Sequence, residues 1–364
     1  MILLAALGAI VLSTYIAGMA TPLSMRVAQR TGMLDRPARH KAHSRPMPVL
    51  GGSAILSAIL GPALLVLSLA SLWAALGPPE WLTLPDAIRR HVPGAASRAP
   101  VALGILTGAF VLHVVGLIDD RRHLHPVVKI IVQAAVAAGV TIGCGIRILT
   151  VAGPALSILA TIAWLVAITN AFNFLDNMDG LAASVAAICA VALLGAAMST
   201  GQIFVAGLLC LILGALLGFL PYNFPPARTY MGDAGSLVIG FLLGVSSCLT
   251  TYTRPGETYY LYGIFVPLVV MAIPLYDTLS VMIIRVRERR NPMVGDRSHF
   301  SHRLVRRGMT VRRTLLTICL ATAGTAIAAS LLPRVGNVGA VLVFCQTVVI
   351  LLMIALLEAG DGRP

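Results

Sequence analysis

Apolar residues run along this chain in blocks of roughly 17–25, the length a helix needs to cross the hydrocarbon core of a bilayer. The blocks fall near residues 2–22, 49–76, 100–118, 127–143, 156–175, 180–199, 203–221, 235–252, 259–284, 313–332 and 338–358. The pattern predicts an all-α polytopic integral membrane protein: one bundle of about eleven transmembrane helices, with no soluble domain of any size. No internal repeat is evident, so the inverted-repeat architecture of many transporters lacks support.

Charge orients the bundle. The first block has no Lys or Arg before it and six between Arg26 and Arg45, which predicts an uncleaved helix with its N-terminus outside. Alternating inward and outward from there puts twenty Lys and Arg residues in inner loops and six in outer loops, and leaves the C-terminus cytoplasmic. The carboxylates sort the same way, which topology alone does not require. Asp35, Asp119, Asp120, Asp176, Asp179, Asp233, Asp277, Glu288 and Asp296 fall inside, against Glu80, Asp86 and Glu257 outside. The outer loop at 77–99 offers at most a short surface helix near 84–91. The chemistry is therefore expected on one face, in inner loops near 23–48, 119–129, 170–180, 222–236 and 285–313.

Composition agrees. Of 364 residues, 58% are hydrophobic and 11% charged. A net charge of +13 on such a chain reports topology and contact with anionic headgroups or phosphates, not nucleic acid. Six single cysteines, none in a CxxC pair, behave as small hydrophobes and support neither disulfides nor zinc.

Five inner stretches carry candidate chemistry. Lys41, His43 and Arg45 lie in a Pro-flanked loop before Gly51-Gly52, with Lys41 and Arg45 as phosphate contacts. Asp119-Asp120 opens GLIDDRRHLHPVVK, and a carboxylate pair at a membrane boundary is costly unless a divalent cation or a phosphorylated group meets it. Asn170, Asn173, Asp176 and Asp179 recur every third residue, which would make successive members neighbours on a helix surface. Gly232-Asp233-Ala234-Gly235-Ser236 combines a close backbone approach, a helix N-terminus able to receive phosphate, and a carboxylate able to hold the bridging metal. Asp277 precedes an arginine-rich loop in which Arg297, His299, His302 and Arg303 could grip a diphosphate. Carboxylate oxygens suit Mg²⁺ or Mn²⁺, and Mg²⁺ completes its shell with water and substrate phosphates. Together these residues point to phosphoryl transfer to a lipid at the cytoplasmic surface. No P-loop, Gly-x-Ser-x-Gly or His-Glu-x-x-His is present.

In this arrangement the chain strongly resembles the polyprenyl-phosphate N-acetylhexosamine-1-phosphate transferases. The resemblance rests on KAHSRPMPVLGG, GLIDDRRHLHPVVK, NAFNFLDNMDGL, YNFPPARTYMGDAGSL and DRSHFSHRL, which occur in family order across residues 41–304. It implies transfer of a sugar-1-phosphate from a UDP-sugar to undecaprenyl phosphate, with release of UMP, Mg²⁺ dependence, and a site open to the cytoplasm of a bacterial inner membrane. It implies Asp119 as base or organiser of the lipid phosphate with Asp120 beside it, and Asp176 and Asp179 as the nucleotide-side pair. Asn223 would contact substrate, Asp233 would ligate the metal, and His299, His302 and Arg303 would cover the sugar-nucleotide, with Lys41 and His43 in the first loop.

Two positions depart from the family pattern: Ser301 stands where a histidine is usual, and Asn177 where a glycine is usual. The first-loop and histidine-loop patterns favour the simple amino-sugar branch, with UDP-GlcNAc as default donor. Direct displacement is the expected chemistry, with a phospho-aspartate intermediate as the alternative. A homodimer is compatible with the sequence. An intramembrane aspartyl protease would explain Asp233 and Asp277, but in reverse order and without the other carboxylates. A transporter would place its polar groups mid-membrane instead of at one face.

Overall fold

The computed structural model describes residues 2–35, 46–79, 85–250, 262–291 and 298–359. Lys41, His43 and Arg297 lie outside the described residues. The elements in order are α1 (Ile2–Thr31), β1 (Leu34–Asp35), β2 (Met47–Pro48), α2 (Gly51–Leu76), α3 (Asp86–Arg89), α4 (Val92–Ser97) and α5 (Ala99–Arg122). They continue with α6 (Pro126–Ala138), extended by a π turn to Gly143, then α7 (Pro154–Leu175), α8 (Leu181–Ser199), α9 (Ile203–Asn223) and α10 (Asp233–Leu249). The chain closes with α11 (Tyr262–Val270), α12 (Ala272–Arg287), α13 (Phe300–Arg306), α14 (Val311–Leu331) and α15 (Asn337–Ala359). The protein is an all-α polytopic membrane protein, and nine of its described helices are long and apolar enough to cross a bilayer.

The remaining two predicted blocks are helical but shorter. α10 has 17 residues, and the ninth block is divided into α11 and α12 at Met271. Pro274 explains the division: it has no N–H to give the Val270 carbonyl, and its ring crowds that oxygen. The first helix departs in the other direction, since it stays helical to Thr31 and carries Arg26 and Arg30 beyond the apolar block. The surface helix expected near 84–91 appears as α3, with α4 following it.

Burial places the core at the middle of the bundle. In α10 every residue from Ala234 to Ser247 is buried, and α7, α5 and α2 surround it. The terminal helices α1 and α15 expose most of their apolar side chains, as helices against lipid do. Two close approaches bring backbone to the start of α10. A Cβ on Gly52 would stand 2.3 Å from the Gly235 nitrogen, and one on Gly116 would stand 2.4 Å from the Ala234 Cα. Only glycine lets α2 and α5 come that near.

The connection between α1 and α2 is pinned to the same place at its two ends. β1 and β2 pair antiparallel, Leu34 with Pro48 and Asp35 with Met47. The Pro48 carbonyl accepts from Tyr230 N at 2.8 Å and from Thr229 Oγ1 at 2.9 Å. Gly51 N and Gly52 N donate back to the carbonyls of Tyr230 and Met231. The ends of the loop that carries Lys41 and His43 thus meet the stretch leading into α10.

Candidate active site

Four helices converge on one lysine. α5 ends where His123 takes a left-handed conformation, the chain turns, and Pro126 starts α6. In that turn Leu124 N donates to Asp119 Oδ1 at 2.5 Å, which fixes the carboxylate against its own helix end. Lys129, in the first turn of α6, places Nζ 2.7 Å from Asp119 Oδ2 and 2.8 Å from Asp233 Oδ2. The other Asp233 oxygen accepts from Asn173 Nδ2 of α7 at 2.9 Å, and the same amide reaches Ser236 Oγ at 2.9 Å. Asp119, Asn173 and Asp233 are therefore brought together, with Lys129 between the two carboxylates and Ser236 beside Asn173. Lys129 was legible, since it lies ten positions after Asp119 in the same motif.

Asp120 does different work from the expected partnership with Asp119 toward lipid phosphate. Its two oxygens accept from Asp233 N at 2.9 Å and Ala234 N at 3.2 Å, so it caps α10 from a neighbouring helix. Gly235 N and Ser236 N donate to the Gly232 carbonyl. The N-terminus of α10, expected to receive phosphate, has these four N–H groups occupied within the protein. A carboxylate is the natural substitute, because it meets the positive end of the helix dipole. His113, about two turns before Asp120 on the same face of α5, completes the fastening. Its Nδ1 donates to the Ala234 carbonyl at 2.9 Å, which leaves Nε2 to accept from Ser53 Oγ at 3.1 Å.

The series at 170–179 is not one helical stripe. α7 stops at Leu175, and Gly180, at φ +73°, turns the chain into α8. Asn170 pairs amide to amide with Gln133 of α6, forming a polar seam between two helices. Asp179 Oδ2 accepts from Ala227 N at 2.9 Å. The buried Asn223 accepts from Gly180 N at 3.1 Å and donates to the Thr229 carbonyl at 2.9 Å. Asp179 and Asn223 thus frame the loop that leads to Asp233, and in this structure the expected substrate contact of Asn223 is taken up by backbone. Asp176 stands at the helix end. Burial, with the charges of Asp233 and Asp179 adding to it, pushes its carboxyl up to about 7. Tyr230 has its hydroxyl held above the ordinary phenol range by burial and by the charges of Asp179, Asp35 and Asp176.

The histidine segment is organised by a residue on α12. Asp277, fully buried, accepts from His299 Nδ1 at 2.9 Å and from Phe300 N at 2.6 Å. The His299 ring meets Phe174 edge-on at 5.9 Å and lies 6.3 Å from the His302 ring. Arg303, expected over the sugar-nucleotide, is tied inward instead. Its Nη2 sits 2.8 Å from Glu358 Oε2 and 2.9 Å from Ser280 Oγ, and Nη1 donates to the Ser298 carbonyl. Tyr276 OH also donates to Glu358 Oε2, at 2.9 Å. Glu358 lies 55 residues from Arg303 in α15, and nothing local in the sequence connects the two. Arg285 is a further buried cation near the segment, its guanidinium 5.7 Å from the centre of the Phe174 ring.

A divalent cation fits this donor set in one form. Among the described residues no three His, Cys, Asp or Glu side chains form a ready cage. Mg²⁺ does not need one, because it binds through one or two carboxylates with water and substrate phosphates. Asp119 and Asp233 already turn one oxygen each toward a shared cation, the Lys129 ammonium, so the pair is shaped for positive charge.

Comparison with known proteins meets this geometry. Residues 102–251 match the model of "Glycosyl transferase family 4", a span that contains Asp119, Lys129, Asn173 and Asp233. A Bacillus subtilis protein described as "Probable undecaprenyl-phosphate N-acetylglucosaminyl 1-phosphate transferase" is 29% identical over 82% of this chain and 77% of its own length. The "Decaprenyl-phosphate N-acetylglucosaminephosphotransferase" of Mycolicibacterium smegmatis is 32% identical over 81% of this chain and 74% of its own. The Escherichia coli K12 "Undecaprenyl-phosphate alpha-N-acetylglucosaminyl 1-phosphate transferase" is 26% identical over 82% and 76%. With relatives of one kind over four fifths of its length, and the motif residues of α5, α7 and α10 meeting at Lys129, the chain belongs to the polyprenyl-phosphate N-acetylhexosamine-1-phosphate transferase family.

Proposed function

We propose that this protein transfers a sugar-1-phosphate, with GlcNAc-1-phosphate the default, from a UDP-sugar to undecaprenyl phosphate at the cytoplasmic face of a bacterial inner membrane. An oxygen of the lipid phosphate attacks the β-phosphorus of the UDP-sugar. The bond from that phosphorus to the bridging oxygen breaks, and UMP leaves with the electron pair. The products are UMP and undecaprenyl-diphosphate-sugar, the first lipid-linked unit of a cell-envelope polysaccharide. The observation that carries this reading is the Lys129 ammonium held between Asp119 and Asp233 by three different helices.

Each residue has a part that follows from its contacts. Asp119, fixed through one oxygen by Leu124 N, orients the acceptor phosphate and takes its remaining proton. A phosphate monoester is already nucleophilic near neutral pH, so positioning and charge neutralisation provide most of the catalysis. Asp233 would hold Mg²⁺, with Asp119 and Asp176 nearest in character as supporting carboxylates. That ion supplies charge neutralisation on the diphosphate when bound. Lys129 adds a positive charge that can pair with phosphate oxygens once the carboxylates have another cation. Asn173 keeps Asp233 aimed into the site, and Asp120 with His113 keeps the start of α10 in place. His299, oriented by Asp277, presents its other ring nitrogen on the donor side with His302.

The test is direct. Purified protein in detergent, given UDP-GlcNAc, undecaprenyl phosphate and Mg²⁺, should release UMP and form a lipid product heavier by one GlcNAc-phosphate. Absence of UMP release across a panel of UDP-sugars, with protein that remains folded, would overturn the reading. Omitting Mg²⁺ and adding a chelator should stop the reaction.

A further inference from the structure

The two positions at which the motifs depart from the family pattern touch each other. Ser301, 1% exposed in the first turn of α13, donates its hydroxyl to Asn177 Oδ1, 124 residues away. The Asn177 amide is held from behind, because its Nδ2 donates to the Phe174 carbonyl at 2.7 Å. We propose that Asn177 and Ser301 form a positioning pair that sets the histidine segment against the Asp176–Asp179 turn, and so sets affinity for the sugar-nucleotide.

Two further anchors of the segment lead away from the Asp176–Asp179 turn: His299 Nδ1 and Phe300 N to Asp277 on α12, and Arg303 to Glu358 on α15. Toward the turn, the Phe174 ring packs edge-on to His299, but a ring contact tolerates sliding. The bond from Ser301 to Asn177 is directional and fixes register. It also lies one residue from Asp176 on one side and one from His302 on the other. Both ends are short and uncharged, Ser301 buried and Asn177 half-buried, so the pair contributes geometry and does not add charge to a site already crowded with it.

Volume makes the two positions interdependent. A glycine at 177 could offer no side-chain acceptor, and the space of its missing amide would stand open. A histidine at 301 would need about that space, since Ser301 has almost no exposure to expand into. Each residue therefore suits the other, and neither suits the usual partner.

The inference rests on the proposed transferase reading, and a mutant cycle separates the two. In full-length protein with UDP-GlcNAc, undecaprenyl phosphate and Mg²⁺, Ser301→Ala and Asn177→Ala should each raise KM for the UDP-sugar about threefold to tenfold, the effect of one net hydrogen bond. KM for undecaprenyl phosphate and kcat should hold within about twofold, a split that a general loss of folded protein does not produce. The double alanine variant should be no worse than either single one. Ser301→His should be impaired alone and recover when Asn177→Gly is added. Effects that multiply in the double variant, or a histidine that is not rescued by the glycine, overturn the pair while leaving an active wild type to support the transferase. A folded wild type that releases no UMP overturns the functional reading, and the pair's role toward the donor with it.

Discussion

The carboxylate centre and the histidine segment are built by opposite means. The centre is made by long helices. Asp119, Lys129, Asn173 and Asp233 sit at the ends of α5, α6, α7 and α10, and glycines let the backbones of α2 and α5 reach α10. The histidine segment is a seven-residue helix, α13, held by side chains from α12, α15 and the turn after α7. Moving the centre means repacking a membrane bundle. Moving the segment means breaking a few polar contacts. The difference teaches that the charge-handling half is preorganised, while the half proposed above to meet the sugar-nucleotide is adjustable.

The most severe way to break that contrast is at the centre. Asp233→Asn and Asp119→Asn should each reduce UMP release by at least about a hundredfold, the scale of removing one preorganised electrostatic contact from a phosphoryl-transfer site. Lys129→Met should fall as far, because it leaves two carboxylates facing each other without a cation between them. Turnover in any of the three within about tenfold of wild type would remove that residue from the centre.

Asp120 sharpens the comparison, because it belongs to the centre by position yet acts on a helix end. Asp120→Asn keeps one acceptor oxygen for two N–H groups and should cost about 1 kcal/mol of stability, the usual scale of a lost cap. Its activity should fall less than that of Asp119→Asn, and its dependence on Mg²⁺ concentration should stay unchanged. Thermal unfolding in detergent and a Mg²⁺ titration together check this. A variant of normal stability with a greatly weakened Mg²⁺ response would return Asp120 to the reacting groups.

Why the sequence separated the two aspartates so poorly is a matter of range. Apolar blocks reveal helices because every backbone group in hydrocarbon must be satisfied within its own segment, a local rule. The motif around Asp119 likewise contained Lys129 and pointed to the right end of α5. What Asp120 bonds to lies 113 residues on, and Arg303 meets a glutamate 55 residues away in an otherwise apolar helix. Periodicity carries no record of such pairs. The spacing of Asn170, Asn173, Asp176 and Asp179 misled for a related reason. Three-residue steps imply a helix surface only while the helix lasts, and α7 ends at Leu175.

The segment should respond more gently, and Glu358 is the contact that shows it. Glu358→Gln keeps the shape but removes the charge facing Arg303 and weakens the bond from Tyr276. Freed from α15, Arg303 and the first turn of α13 should shift. KM for the UDP-sugar should rise about threefold to tenfold, the range for weakening a hydrogen-bonded ion pair, with kcat nearly constant. The same substitution read through undecaprenyl phosphate should show almost nothing. A fall in kcat as large as that of Asp233→Asn would mean that the two halves are one rigid unit.

The smallest effect concerns Asp176, which stands between the halves. Its carboxyl titrates at about 7 in the folded protein because burial and the charges of Asp233 and Asp179 oppose ionisation. A carboxyl raised in this way favours the folded state while protonated. That contribution is complete below the ordinary aspartate range near 4 and is lost as pH rises through about 7. Metal-free protein should therefore unfold at a lower temperature at pH 8 than at pH 6, and Asp176→Asn should flatten that slope. Added Mg²⁺ offsets the negative charge and should favour the ionised form, so the pH 8 loss should shrink as Mg²⁺ is supplied. A slope that is the same in Asp176→Asn as in wild type would assign the titration to another carboxylate of the centre. The comparison would then narrow to the centre alone, with Asp176 serving only as the end of α7.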